Sequence, residues 1–154
     1  MPVAKLKAFL DEHHVQYDTI EHPTAFTAQE AAAAAHIPGK ELAKTVMVKL
    51  DGRMVMAVLA APDHLSMERL RSTTGADAVE LATEVEFRRL FPDCEAGAMP
   101  PFGNLWDLEV FVDQRLREDE RIAFEAGSHR ELLRMTYADF ERLVRPVVAR
   151  LTPA

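Results

Sequence analysis

Two apolar, β-prone runs, residues 45–50 and 54–60, flank the dipeptide Asp51-Gly52. A type I′ turn needs positive φ at both central residues, and Asp-Gly meets that demand. The middle of the chain is therefore committed to an antiparallel hairpin, and the rest must supply its covering layers. Around it, helical and extended patterns mix without strict alternation, which points to an α+β fold with a mixed sheet rather than a doubly wound one. With 154 residues, 48% of them hydrophobic, the chain suits a single domain over 1–154 with one sizeable core.

The local signals run as follows. Val3, Leu6, Phe9 and Leu10 share one face of a helix over residues 3–13. Residues 15–21 form a short strand ending at His22-Pro23, because the residue before proline is pushed to extended geometry. Thr27 and Glu30 form a capping box ahead of the alanine run 31–35, which Pro38-Gly39 stops. Ser66 caps a short helix closed near Gly75, and residues 79–81 are extended. Thr83 and Glu86 form a second capping box for a helix carrying Val85, Phe87, Leu90 and Phe91. Residues 92–105, rich in Pro, Gly and Asn, form a loop. Strands follow at 108–112, 122–126 and 132–135, with a turn at 127–129. Thr136 with Asp139 caps a last helix bearing Phe140, Leu143 and Val144.

Composition excludes several functions. The net charge of −7 gives no broad electrostatic grip on a phosphate backbone. The lone Cys94 can form neither an internal disulfide nor a cysteine metal site, and flanking Asp93 and Glu95 suppress its thiolate. The six histidines lack the i,i+4 spacing of helix metal pairs, so no metal and no cofactor is expected. Residues 1–10 lack the apolar run of a secretory leader, and no window approaches a membrane span, so the cytoplasm is the expected compartment. No nucleophile elbow, P-loop or dinucleotide fingerprint is present.

Three features could carry chemistry. Lys44 enters the hairpin's first strand. If that strand includes it, it shares a face with Val46, Val48 and Leu50, at the mouth of an apolar surface where an ammonium needs a partner or a ligand. If the strand starts later, the ammonium lies in water. The segment Gly97–Gly103 offers close-approach glycines and backbone N–H groups for a developing oxyanion, or is simply a tight turn. Gly127-Ser128-His129 places an acid–base group at a strand end, or an idle surface histidine.

In order along the chain, Ala43-Lys44-Thr45, Gly97-x-x-x-Pro101-Phe102-Gly103 and Ala126-Gly127-Ser128-His129 resemble the YbaK/ProX-type family of trans-editing aminoacyl-tRNA deacylases, related to the editing insertion of bacterial prolyl-tRNA synthetase. The resemblance runs from His22-Pro23 to the last helix. It implies a mixed, partly curled sheet flanked by helices, and hydrolysis of the ester of mischarged aminoacyl-tRNA at the acceptor end. It also implies that Lys44 is the main catalytic residue, with His129 assisting at a position where members vary. Thr45, Gly97, Pro101, Phe102, Gly103, Gly127 and Ser128 would shape the substrate pocket. The tRNA's own 2′-hydroxyl would help activate water, and a synthetase or elongation factor would lend tRNA affinity. Two other readings are a non-catalytic tRNA- or acyl-binding module of the same fold, and a hydrolase of free esters or amides.

Overall fold

The Asp51-Gly52 turn forms as its residues dictate, with φ of 50° and 85°. In the computed structural model, which describes residues 3–153, it joins β2 (Ala43–Leu50) to β3 (Arg53–Ala60) in an unbroken antiparallel ladder. The expected leaderless start falls partly on Met1 and Pro2, which lie outside the described residues, as does Ala154. Before the hairpin come α1 (Ala4–Glu12), β1 (Asp18–Glu21) and α2 (Ala28–Ala34). After it come α3 (Met67–Thr74), β4 (Val79–Leu81), α4 (Glu84–Arg88), β5 (Val110–Asp113), β6 (Arg121–Glu125), β7 (Glu131–Thr136), α5 (Tyr137–Val144) and β8 (Val147–Ala149).

The strands form a mixed five-stranded sheet in the order β4-β2-β3-β5-β8 and an antiparallel three-stranded sheet in the order β1-β7-β6. The pairings of β3 with β5 and of β5 with β8 are parallel. One parallel bridge, Leu42 to Ala123, links the two sheets. The result is an α+β domain with an open sheet. Its largest core lies between the sheets, where Leu6, Leu10, Met56, Phe102, Phe124 and Phe140 are buried. A small alanine-rich core sits under α2, and a third packs Val48, Leu50, Val55 and Phe111 against Leu70 of α3.

The cap residues read from sequence do accept their hydrogen bonds: Ser66 from Arg69 N–H, Thr83 from Glu86 N–H and Thr136 from Asp139 N–H. Each such cap stabilises its helix by roughly 0.5–2 kcal/mol. Thr27 differs from the reciprocal box. Its Oγ1 accepts from Glu30 N–H, but its hydroxyl donates to the Glu30 carboxylate, so the carboxylate does not return to the backbone.

Three boundaries shift and one strand is added. β1 starts at Asp18 rather than residue 15, because Val15 N–H folds back onto Leu10 O as the helix ends. Helix α4 stops at Arg88, leaving Val85 and Leu90 exposed rather than packed. β5 starts at Val110, because Leu108 N–H donates to Gly103 O. Strand β8 has no counterpart in the sequence reading.

Candidate functional site

Leu42 and Ala123 form one parallel bridge and the two strands then part. Lys44 and Glu125 each lie two residues beyond that bridge, so parallel register brings them into line on the two diverging strands. The gap is a cavity of about 180 Å³, lined by Phe26, Ala28, Leu42, Ala43, Lys44, Thr45, Gly97, Met99 and Glu125. Lys44 belongs to the strand, is half-buried, and its ammonium donates to Ala61 O at 3.0 Å. Burial lowers its pKa, while Asp63 acts against that shift. Thr45 Oγ1 is buried with no hydrogen-bond partner among the described residues. Phe26, 76% exposed, stands at the rim with its ring 5.7 Å from that of His129.

Two segments separate in sequence are knitted together at this wall. Glu95 N–H donates to Gly127 O at 2.8 Å, and Gly127 N–H donates to Ala98 O at 2.9 Å. His129 N–H donates to the Glu95 carboxylate at 3.0 Å. The His129 ring meets Ala96 O at 2.7 Å through Nε2. A carbonyl only accepts, so Nε2 carries the hydrogen. Gly97, at φ 83°, lies directly over this ring: a Cβ there would stand 3.6 Å from His129 Cε1. Nδ1 faces Glu125 Oε2 at 3.5 Å, an ion-pair separation without hydrogen-bond alignment. Burial is the main cause that pushes the Glu125 carboxyl up to about 7, with Glu95 adding to it and His129 opposing.

The structure thus brings Lys44, Thr45 and Gly97 to one cavity, with His129 behind its wall. The other expected residues lie elsewhere. Pro101 is buried and does not line the cavity. Phe102 is fully buried in the main core against Phe124 and Phe140. Gly103 is packed so closely that a Cβ would meet Val110 Cγ2 at 2.7 Å and Leu108 O at 2.8 Å. These three anchor the loop from beneath, because the apolar ring of Phe102 is more stable in the core than at a wet rim. Gly127, at φ 115°, packs on Val3 and supports the turn. Ser128 faces away, into a larger open groove of about 610 Å³ with Glu21, His22, Glu95, Arg130 and Glu131. That groove is larger but polar and open, and Lys44 does not reach it. Burial and Asp93 push the Cys94 thiol up to about 11, so it holds little thiolate at neutral pH, and it does not line the cavity. Among the described residues no group of three His, Cys, Asp or Glu could hold a metal ion, and no helix is long and apolar enough to cross a membrane.

The sequence reading missed Glu125. The available signal was strand alternation: Ile122, Phe124 and Ala126 face the main core, and Glu125 shares the opposite face with Ala123. Residues 22–143, which hold every one of these cavity side chains, match the family described as aminoacyl-tRNA editing domain. The chain belongs to that family. Over 112 residues this editing domain is 25% identical to a proline–tRNA ligase of Bacillus mycoides (strain KBAB4), and 28% identical to one of Bacillus cytotoxicus (strain DSM 22905). The match covers 73% of this chain and 20% of each ligase, so the editing domain spans about a fifth of the curated relatives it matches. Its fold superposes with a TM-score of 0.85 on a proposed trans-editing enzyme for prolyl tRNA synthetase, 22% identical, over 99% of this chain and 97% of the other.

Proposed function

We propose that this editing domain hydrolyses the ester of mischarged aminoacyl-tRNA, releasing free amino acid and intact tRNA. The observation that carries the reading is the convergence of Lys44 and the Gly97 loop on one small, half-apolar cavity. At about 180 Å³ it is well below the size of pockets that take drug-like ligands, and it suits a small acyl group. The Lys44 ammonium spends one donor on Ala61 O and offers the others to the acyl end of the tRNA. In the loop, Ala98 N–H is committed to Glu95 O, while Gly97 and Met99, which line the cavity, donate no backbone hydrogen bond among the described residues and can offer their amides to a developing oxyanion. The unpartnered Thr45 hydroxyl gives the cavity a polar point for substrate. The 2′-hydroxyl of the terminal ribose, beside the ester, helps to orient the attacking water.

The enzyme acts in the cytoplasm on the acceptor end alone. With a net charge of −7 it makes few phosphate contacts and borrows tRNA affinity from a synthetase or elongation factor. The test is a panel of mischarged tRNAs, with the matching free amino-acid esters as controls. Ester loss from at least one tRNA, and none from the free esters, is expected. Binding without ester loss across the panel would favour a non-catalytic module, and loss of the free esters a hydrolase without tRNA specificity.

A further inference from the structure

Glu125 is a buried carboxylate that the scheme above leaves unused. It ends β6, in register with Lys44 across the gap where the two sheets part, and lines the same cavity as Lys44 and Gly97. Its side chain keeps only 11% exposure. The His129 ring behind it is locked: Nε2–H is bound to Ala96 O, and the backbone N–H to Glu95. Nδ1 faces Glu125 Oε2 at 3.5 Å without hydrogen-bond alignment, and the carboxylate lines the cavity in front of it. The titratable groups that act on Glu125 are His129 and Glu95 of the loop, and Lys44 of β2 lines the same cavity.

We propose, resting on the hydrolase reading, that Glu125 is the general base of the reaction, taking a proton from the water that attacks the ester. The water oxygen bonds to the ester carbonyl carbon as its proton passes to the Glu125 carboxylate. The carbonyl π pair moves onto oxygen and is met by the loop amides. The intermediate then collapses, the carbon–oxygen bond to the ribose breaks, and the proton on Glu125 passes to the departing ribose oxygen. Free amino acid and a tRNA hydroxyl result, with no other reactant. A carboxyl near 7 is well matched to take and return a proton at neutral pH. The His129 ring, held through Nε2 by Ala96 O, stands behind the carboxylate and restricts its orientation.

The experiment is single-turnover deacylation of the best mischarged tRNA by wild type, Glu125→Gln and Glu125→Asp, between about pH 5.5 and 9. The wild-type rate is expected to rise with pH and level off above about 7. Glu125→Gln should lose roughly 10²–10⁴-fold in kcat with KM almost unchanged, and its residual rate should climb with hydroxide without levelling. Glu125→Asp should keep the plateau at a reduced rate. A Gln variant that keeps the wild-type rate and plateau would overturn the proposal and leave Glu125 as the partner that positions His129. If the Gln variant does not fold, a wild-type rate in Glu125→Asp overturns it equally. Wild type that leaves every acyl-tRNA intact refutes the hydrolase reading itself, and the base with it.

Discussion

Ionising Glu125 inside the protein should cost stability in a defined pH window. Its carboxyl is raised from 4.5 to about 7, chiefly by burial. Between those values the folded protein holds a proton that the unfolded chain has released. Stability contributed by this group is therefore greatest at and below about pH 4.5, falls as pH rises to about 7, and is flat beyond. At 1.36 kcal/mol per unit the loss is up to about 3 kcal/mol, less whatever relaxation and water entry recover. Glu125→Gln removes the titration and keeps the shape and a donor toward His129 Nδ1. The variant should match wild type near pH 4.5 and exceed it by up to about 3 kcal/mol at pH 8. Urea melts of both proteins at the two pH values measure this. With m of about 1–3 kcal/mol/M, the midpoint gap at pH 8 should be up to about 1–3 M. A gap independent of pH, or a wild type that is the more stable at pH 8, would refute the burial argument. A surplus would mean that the protein retains a destabilising carboxylate at its cavity, as expected of a working group.

Three further outcomes follow from the same geometry. Gly103→Ala should destabilise by about 1–3 kcal/mol in a thermal or urea melt, because its Cβ would meet Leu108 backbone at 2.8 Å; a neutral result would show that the loop beneath the cavity yields freely. Asp113→Ala should cost roughly 1–3 kcal/mol, since the buried carboxylate accepts from Leu151 N–H at 2.8 Å and would leave that amide unpaired; its effect on the deacylation rate should be small by comparison. His129→Ala should lower deacylation by about 10²-fold or less and alter amino-acid preference, because the ring backs both Gly97 and Glu125 without lining the cavity; a loss as deep as that of Lys44→Ala would mean that His129 touches the reacting atoms.

What could be read from residues alone followed local chemistry. Asp51-Gly52 needs only its own φ angles, and Ser66, Thr83 and Thr136 need only an amide three residues ahead. The hairpin pattern left open whether Lys44 begins the first strand or precedes it, and the structure has it within β2. The rest depended on distant partners. Strand β8 is three residues long and exists because β5 offers it a parallel edge. Phe102 sits in a segment whose prolines and glycines announce a loop, while its ring is claimed by Phe124 and Phe140 from two other elements. Glu125 gains meaning only where β2 and β6 part after the Leu42–Ala123 bridge, a single long-range contact with no local signature. The aromatic rim residue Phe26 was likewise invisible until Ala25 N–H, bound to His129 O, fixed the entry to α2 over the site.

Ester hydrolysis in the cavity that Lys44 lines is tested directly by one comparison. The mischarged tRNA that wild type deacylates fastest should be incubated with wild type and with Lys44→Ala, each first shown to melt at a similar temperature. The Lys44 ammonium is the only cation among the described residues lining that cavity. Losing a preorganised charge of this kind commonly costs about 10²–10³-fold in rate. Wild type is expected to clear the ester while Lys44→Ala falls by at least that factor, with its fold intact. A folded Lys44→Ala protein that deacylates at the wild-type rate would contradict hydrolysis in that cavity.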